Sequence, residues 1–170
     1  IFYMNLDIAL GGMDQRHAHM LARELAPKLG FKTPVALHTP LLTGLKGGNR
    51  MDFTSKMSKS KAESAIFVTD SPDDIRAKIK GAFCPEGSIE NNPILDIYKY
   101  IIFQYYKDEI RIERKYGGDI IAKSYRELET FYSNKEIHPL DLKENVSNLL
   151  IEILKPVRDH FNNHSELQEM

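Results

Sequence analysis

A single cysteine, Cys84, stands in the 170 residues. One thiol forms no internal disulfide, which excludes the small stapled scaffolds of secreted proteins and fits a reducing cytosol. The six histidines show no ligand spacing around it, so zinc is not expected and no metal ligands are assigned. No apolar run approaches the roughly 20 residues that span a bilayer. A cytoplasmic protein without membrane contact is therefore expected. Internal repeats and low-complexity segments are missing too. The chain opens on Ile1 rather than methionine, with no signal peptide ahead of a strand-like run, and the expectation is a piece of a longer chain.

What is present is ordinary in bulk and uneven in layout. Hydrophobic residues make up 42% and charged residues 28%, as in globular domains, and the length suits one medium or two small ones. Residues 1–70 carry nine Lys and Arg against six Asp and Glu, a net +3. Residues 71–170 carry fourteen against eighteen, a net −4. A nucleic acid held by the second half must therefore be gripped by local patches, because bulk attraction is absent.

Taken in order, Leu6 to Leu10 reads as a short buried strand ending at Gly11-Gly12. Asp14 is placed to cap a helix running to about Leu29, with Gly30 beyond it. Ala18, Leu21, Ala22, Leu25 and Leu29 form one helical stripe, and Gln15 falls on the same inward face. An amide there is either bonded to nearby backbone or a ligand contact at the mouth of a strand–Gly-Gly–helix unit. Glycines at the bend admit a ligand to the backbone, and Asp14 offers acceptors to sugar hydroxyls. Pro34 to His38 is the next strand, which makes a βα unit of a parallel sheet.

Beyond Asp70 the character changes. Asp70-Ser71-Pro72-Asp73-Asp74 starts a helix to about Phe83, and Asn92-Pro93 starts another to about Tyr105. Glu109–Glu113 and Asp119–Ala122 read as a hairpin about Gly117-Gly118. Ser124 opens a helix to about Tyr132. His138-Pro-Leu-Asp141 leads into a last helix striped by Leu142, Val146, Leu149, Leu150, Ile153 and Val157, with Pro156 inside it. The fold class expected is α/β followed by mainly α, with domains 1–70 and 71–170.

The densest chemistry lies in Lys56-Met57-Ser58-Lys59-Ser60. Cationic and hydroxyl donors beside the pliable Thr43-Gly44-Leu45-Lys46-Gly47-Gly48-Asn49 suit polyphosphate oxygens. By composition alone the same run is a solvated, lysine-rich surface loop. Its place after a second parallel strand puts it at the crevice that Gly12, Asp14 and Gln15 also face.

Five stretches in this order resemble tyrosyl-tRNA synthetases of the archaeal and eukaryotic type. They are Gly11-Gly-Met-Asp-Gln-Arg16 with His19-Met-Leu-Ala-Arg23, Pro40-Leu-Leu-Thr-Gly-Leu45, Lys56–Ser60, Lys115-Tyr-Gly-Gly-Asp119 and His138-Pro-Leu-Asp-Leu-Lys143. The related tryptophanyl enzymes share the nucleotide-binding part but match the first and last stretches less well. The resemblance implies the C-terminal portion of a Rossmann-like class I catalytic domain followed by a helical anticodon-binding domain. It implies ATP with Mg2+ and L-tyrosine as substrates, tRNA(Tyr) as partner, and a homodimer for the full-length enzyme. Lys56, Lys59, Ser58 and Ser60 then serve catalysis; Gly12, Asp14, Met57 and Lys59 bind ATP; Gln15 binds tyrosine. Tyr116, His138, Pro139 and Asp141 read the anticodon, although His138-Pro139 also reads as a helix entry and Tyr116 as a hairpin aromatic. The family's N-terminal half of the active site is not expected in this chain, so alone it is expected to be inactive. The alternatives are a non-catalytic tRNA-binding fragment or synthetase-like paralogue, a tryptophanyl-tRNA synthetase, and a generic α/β nucleotide-binding protein.

Overall fold

The computed structural model describes residues 1–48 and 62–164. They fall into two compact units, Ile1–Leu41 and Leu42–Met170. In the first, β1 (Ile8–Gly12) and β2 (Val35–Thr39) pair in parallel, Ile8 beside Val35 and Gly12 beside Thr39. The strand lies two residues later than expected, so both glycines belong to it. A one-turn 3-10 segment, Met13–Gln15, follows, then α1 (Arg16–Leu25) and a second 3-10 turn, Pro27–Leu29, closed by left-handed Gly30 at φ +74°. The N-cap positions of the two segments are Gly12 and Gln15 rather than Asp14, a correction to its expected capping role. The helix stops short of Leu29 because Pro27 has no N–H to donate and its ring crowds the preceding turn.

The expected inward stripe of α1 is not buried. No residue of the helix is buried, and Leu21 and Leu29 are 56% and 58% exposed. Width explains this: two strands about 4.8 Å apart are narrower than a helix about 10 Å across. Ala9, Ala26 and Pro34 are the buried residues of this unit. On the other face of the sheet, Ile8, Leu10, Val35 and Leu37 stand exposed. The Arg23 guanidinium donates to the Pro34 carbonyl and ties helix to strand.

The second unit begins well before Asp70, where composition changes. The buried Asp96 carboxylate accepts from both the Thr43 N–H (3.1 Å) and the Thr43 hydroxyl (2.6 Å). Phe83 N–H donates to the Leu45 carbonyl at 2.6 Å. Residues 43–45 are thereby packed with helices later in the chain, which moves the structural division to Leu42.

From there the unit is mainly helical. α2 (Pro72–Lys80) starts with a reciprocal capping box between Ser71 and Asp74, whose hydrogen bonds hold the Asp74 carboxyl below the usual carboxylate range. α3 (Pro93–Ile97) runs through a π-turn, Tyr98–Ile102, into α4 (Phe103–Tyr105). β3 (Ile110–Ile112) and β4 (Ile120–Ala122) form the expected antiparallel hairpin. α5 (Tyr125–Ser133) is capped by Ser124, and α6 (Pro139–Asn162) by His138, with Pro156 inside it. No helix among the described residues is long and apolar enough to cross a membrane.

The core is rich in isoleucine. Ile75 and Ile79 of α2 pack with Ile94, Ile97 and Tyr98, with the inward hairpin residues Ile110, Ile112 and Ile120, and with Leu142, Val146 and Leu150 of α6. Strand alternation and the α6 stripe both place these residues inward. Cys84 sits at the edge of this core, its Sγ 3.2 Å from the Tyr132 hydroxyl, and burial pushes its thiol pKa up. Asn92 is fully buried: its Oδ1 accepts from the N–H groups of Ile94 and Leu95, while Nδ2 donates to the Ser88 carbonyl at 3.0 Å. Replacing Asn92 by alanine removes the cap and strands those donors, so a loss of about 2–3 kcal/mol is expected. Asn92→Asp keeps the acceptor and should lose less. Urea unfolding of the two variants checks this, and equal loss would show that the cap contributes nothing.

Candidate functional site

Parallel pairing brings the carboxyl ends of β1 and β2 to one edge, Gly12 beside Thr39. That edge is where open α/β sheets receive ligands. Its crowding requires glycine. A Cβ on Gly12 would lie 2.5 Å from Asp14 Oδ1 and 3.1 Å from Leu41 Cδ2; one on Gly11 would lie 3.1 Å from His19 Cε1 and 3.2 Å from Gln15 Cβ. Gly12, Asp14 and Gln15 are therefore gathered at one strand end. Gln15, expected to face inward, is exposed there, because the 3-10 turn lifts it to the rim before α1 begins.

Sequence reasoning missed a histidine pair at this edge. His19 Nδ1 and His38 Nε2 are 3.1 Å apart. The signal was available: His19 lies four residues after Gln15 on α1, and His38 shares the parity of the inward Ala36 on β2. What joined them was the parallel register. Lys56, Met57, Ser58, Lys59 and Ser60 lie outside the described residues.

The second unit carries a separate cleft of about 960 Å³, lined by Tyr116, His138, Leu140 and Asp141 among others. Two positions far apart in the chain, the hairpin turn and the start of α6, thus share one hollow. Pro139 occupies the first turn of α6 and belongs to the helix start rather than to the cleft wall. His138 is the helix cap: its Nδ1 accepts from the Leu140 N–H at 3.2 Å. That assignment leaves Nε2–H as the donor side of the ring. Helix entry and cleft lining are therefore both true of this residue. Asp141 and Glu144 stand one turn apart on α6, and both line the hollow. Glu144 was not singled out from sequence, although its i+3 spacing from Asp141 marks a shared face.

Tyr116 is 79% exposed and rides a turn whose next two residues, Gly117 and Gly118, have φ of +86° and +75°. Only glycine adopts two such conformations in succession at little cost. The Lys115 ammonium lies 5.6 Å from the Tyr116 ring centroid. Five carboxylates line the cleft (Glu113, Glu136, Asp141, Glu144 and Glu152) against three cations (Arg114, Lys115 and Lys135). A phosphate chain is not attracted to such a wall. A base edge rich in N–H donors, with one aromatic face to stack on, is the better chemical fit.

Comparison with known proteins gives the family. The model for "tRNA synthetases class I (W and Y)" matches residues 1–155. It runs unbroken through both units. Residues 71–155 therefore fall within the synthetase model, which corrects the expectation of a C-terminal portion with a separate module behind it. The tyrosine–tRNA ligase of Saccharolobus solfataricus is 55% identical over 183 aligned residues, covering all of this chain and 50% of that protein. The crystal structure of tyrosyl-tRNA synthetase from Aeropyrum pernix superposes with a TM-score of 0.86 at 48% identity, over 99% of this chain and 48% of that one. The enzyme from Pyrococcus horikoshii, complexed with L-tyrosine, gives 0.90 at 41% identity, over 99% and 52%. The chain spans about half the length of the curated relatives it matches. With a Rossmann-like βαβ unit and a match over most of its length, it belongs to the class I tRNA synthetases of the tryptophan and tyrosine group.

Proposed function

We propose that this chain forms part of a tyrosine–tRNA ligase and supplies two of its binding surfaces. The observation that carries this is the pair of gathered sites: Gly12, Asp14 and Gln15 at one sheet edge, and Tyr116, His138 and Asp141 around one cleft. Both sets come from stretches that resemble the tyrosyl enzymes, and the named relatives add support for tyrosine over tryptophan.

The overall reaction proceeds in two steps. A carboxylate oxygen of tyrosine attacks the α-phosphorus of ATP, the bond to pyrophosphate breaks, and tyrosyl-adenylate forms. A ribose hydroxyl at the 3′ end of tRNA(Tyr) then attacks the tyrosyl carbonyl, forming the ester as AMP leaves. The first step asks for positioning and charge stabilisation more than for an acid or base. Gly12 lets the nucleotide approach the backbone, Asp14 accepts from ribose hydroxyls, and Gln15 holds the amino acid. Lys56 and Lys59, with Ser58, Ser60 and Met57, would take the phosphates of ATP, whose charge Mg2+ would also offset when bound to them. The cleft of the second unit takes an unpaired anticodon base: Tyr116 stacks on it and the Asp141 carboxylate accepts from its N–H edge, as guanine offers. His138 adds its Nε2–H from the helix start. The complete enzyme acts as a homodimer in the cytoplasm under this reading.

The second reading is a non-catalytic tRNA-binding protein, favoured by a cleft whose lining residues all come from one unit of this chain. Two measurements separate the readings. In the complete synthetase, Lys59→Ala should slow tyrosine-dependent pyrophosphate exchange by about 10²–10³, the scale for loss of one transition-state donor. Unchanged exchange would remove Lys59 from catalysis and favour the binding protein. Asp141→Ala should leave exchange intact and weaken tRNA binding by about tenfold. Equal loss in both assays would mark Asp141 as structural.

A further inference from the structure

Tyr116 and Asp141 stand on elements that share no strand or helix, so something must set the gap between them. The loop of the hairpin has little packing of its own. Gly117 and Gly118 bring no side chains, and nothing lies within 4 Å of where a Cβ on Gly118 would point. The loop is held instead by one guanidinium. Arg114 Nε donates to the Gly118 carbonyl at 2.5 Å, Nη2 to the Gly117 carbonyl at 2.6 Å, and Nη1 to the Glu136 carbonyl at 2.7 Å. The first two bonds lock the turn that carries Tyr116. The third reaches the segment between α5 and α6, two residues before His138. On the far side of the hairpin, Arg111 Nε bonds Asp119 Oδ2 at 2.7 Å, so the base of the turn is tied separately.

We propose that Arg114 is the positioning residue of this cleft. Its planar fork clamps the Tyr116 turn to the 134–138 segment and sets the slot in which a single unpaired purine stacks on Tyr116 while its edge meets Asp141. The inference rests on the RNA-binding reading of the cleft. Arginine suits the task because one rigid group satisfies three carbonyl oxygens at once, whereas a lysine ammonium on a flexible stem keeps the charge and loses the fork. Three of the five Arg114 N–H donors go to backbone carbonyls, so the role assigned to it is geometric.

The test uses the 170-residue chain and two synthetic RNA hairpins, one with guanine in the unpaired loop and one with inosine, which lacks the 2-amino donor. The chain has no tryptophan, so Tyr116→Trp provides a single fluorescence reporter for stacking. The parent should prefer guanine to inosine, and guanine RNA should quench the reporter. Arg114→Lys should reduce guanine-hairpin affinity by about tenfold, bring the guanine-to-inosine ratio towards one and diminish the quench, with the melting temperature held. Gly118→Ala is the second variant. It strains the turn at φ +75° without touching the guanidinium, and it should erode the same ratio. Retained discrimination and quench in both variants, with binding still lost in Asp141→Ala, would overturn the role of Arg114 alone. Unchanged binding in Asp141→Ala would overturn the reading of the cleft, and the inference with it.

Discussion

The second unit depends on a short chain of hydrogen bonds that runs from the buried core to the surface. The Tyr98 hydroxyl, fully buried in the π-turn, donates to Asn145 Oδ1 at 2.7 Å, and Asn145 Nδ2 donates to the Arg111 carbonyl at 3.0 Å. Three elements meet there: the α3–α4 segment, the second turn of α6 and strand β3. Burial drives the Tyr98 hydroxyl pKa well above its ordinary value, so it remains a donor at any physiological pH. An unmet group in this position costs about 1–3 kcal/mol, against a net gain near 1 when paired. The link therefore selects one placement of α6 against the hairpin more than it adds stability. That placement is what lets Asp141 and Tyr116 share a hollow.

Under the proposed RNA-binding reading, charge determines what kind of contact the hollow suits. Its carboxylates outnumber its cations, and the region after residue 70 is net negative. Non-specific grip on a phosphate backbone needs the opposite balance. Stacking and edge recognition do not, because they act at contact distance on an unpaired base. Under that reading, an acidic cleft with an exposed tyrosine discriminates between bases, since a wrong base gains no compensating attraction.

Much of the second unit was legible in the chain. Capping residues at Ser71, Asn92, Ser124 and His138 mark its helix starts, and alternation with Gly117-Gly118 marks its hairpin. These are local signals with local causes, an orphan N–H met by a side-chain oxygen or a positive φ met by glycine. In the first unit the same logic went astray. The apolar stripe of α1 has helical periodicity, yet periodicity says which residues share a face and not whether anything covers it. A sheet of two strands covers too little, so Leu21 stays exposed. Pro27, with no N–H to donate, ends the helix inside the run of stripe residues to Leu29.

The sequence by itself determined the order of elements, the glycine-crowded end of β1, and which residues carry chemistry at each end of the chain. These follow from interactions spanning a few residues. Only the tertiary structure decided what stands beside what. It moved the unit boundary from the compositional change at Asp70 to Leu42, because the Asp96 carboxylate 53 residues away holds Thr43. It paired His19 with His38 through strand register, and it set the Arg114 guanidinium on the carbonyls of Gly117, Gly118 and Glu136. Such contacts join residues far apart in sequence, where neither periodicity nor capping leaves a trace.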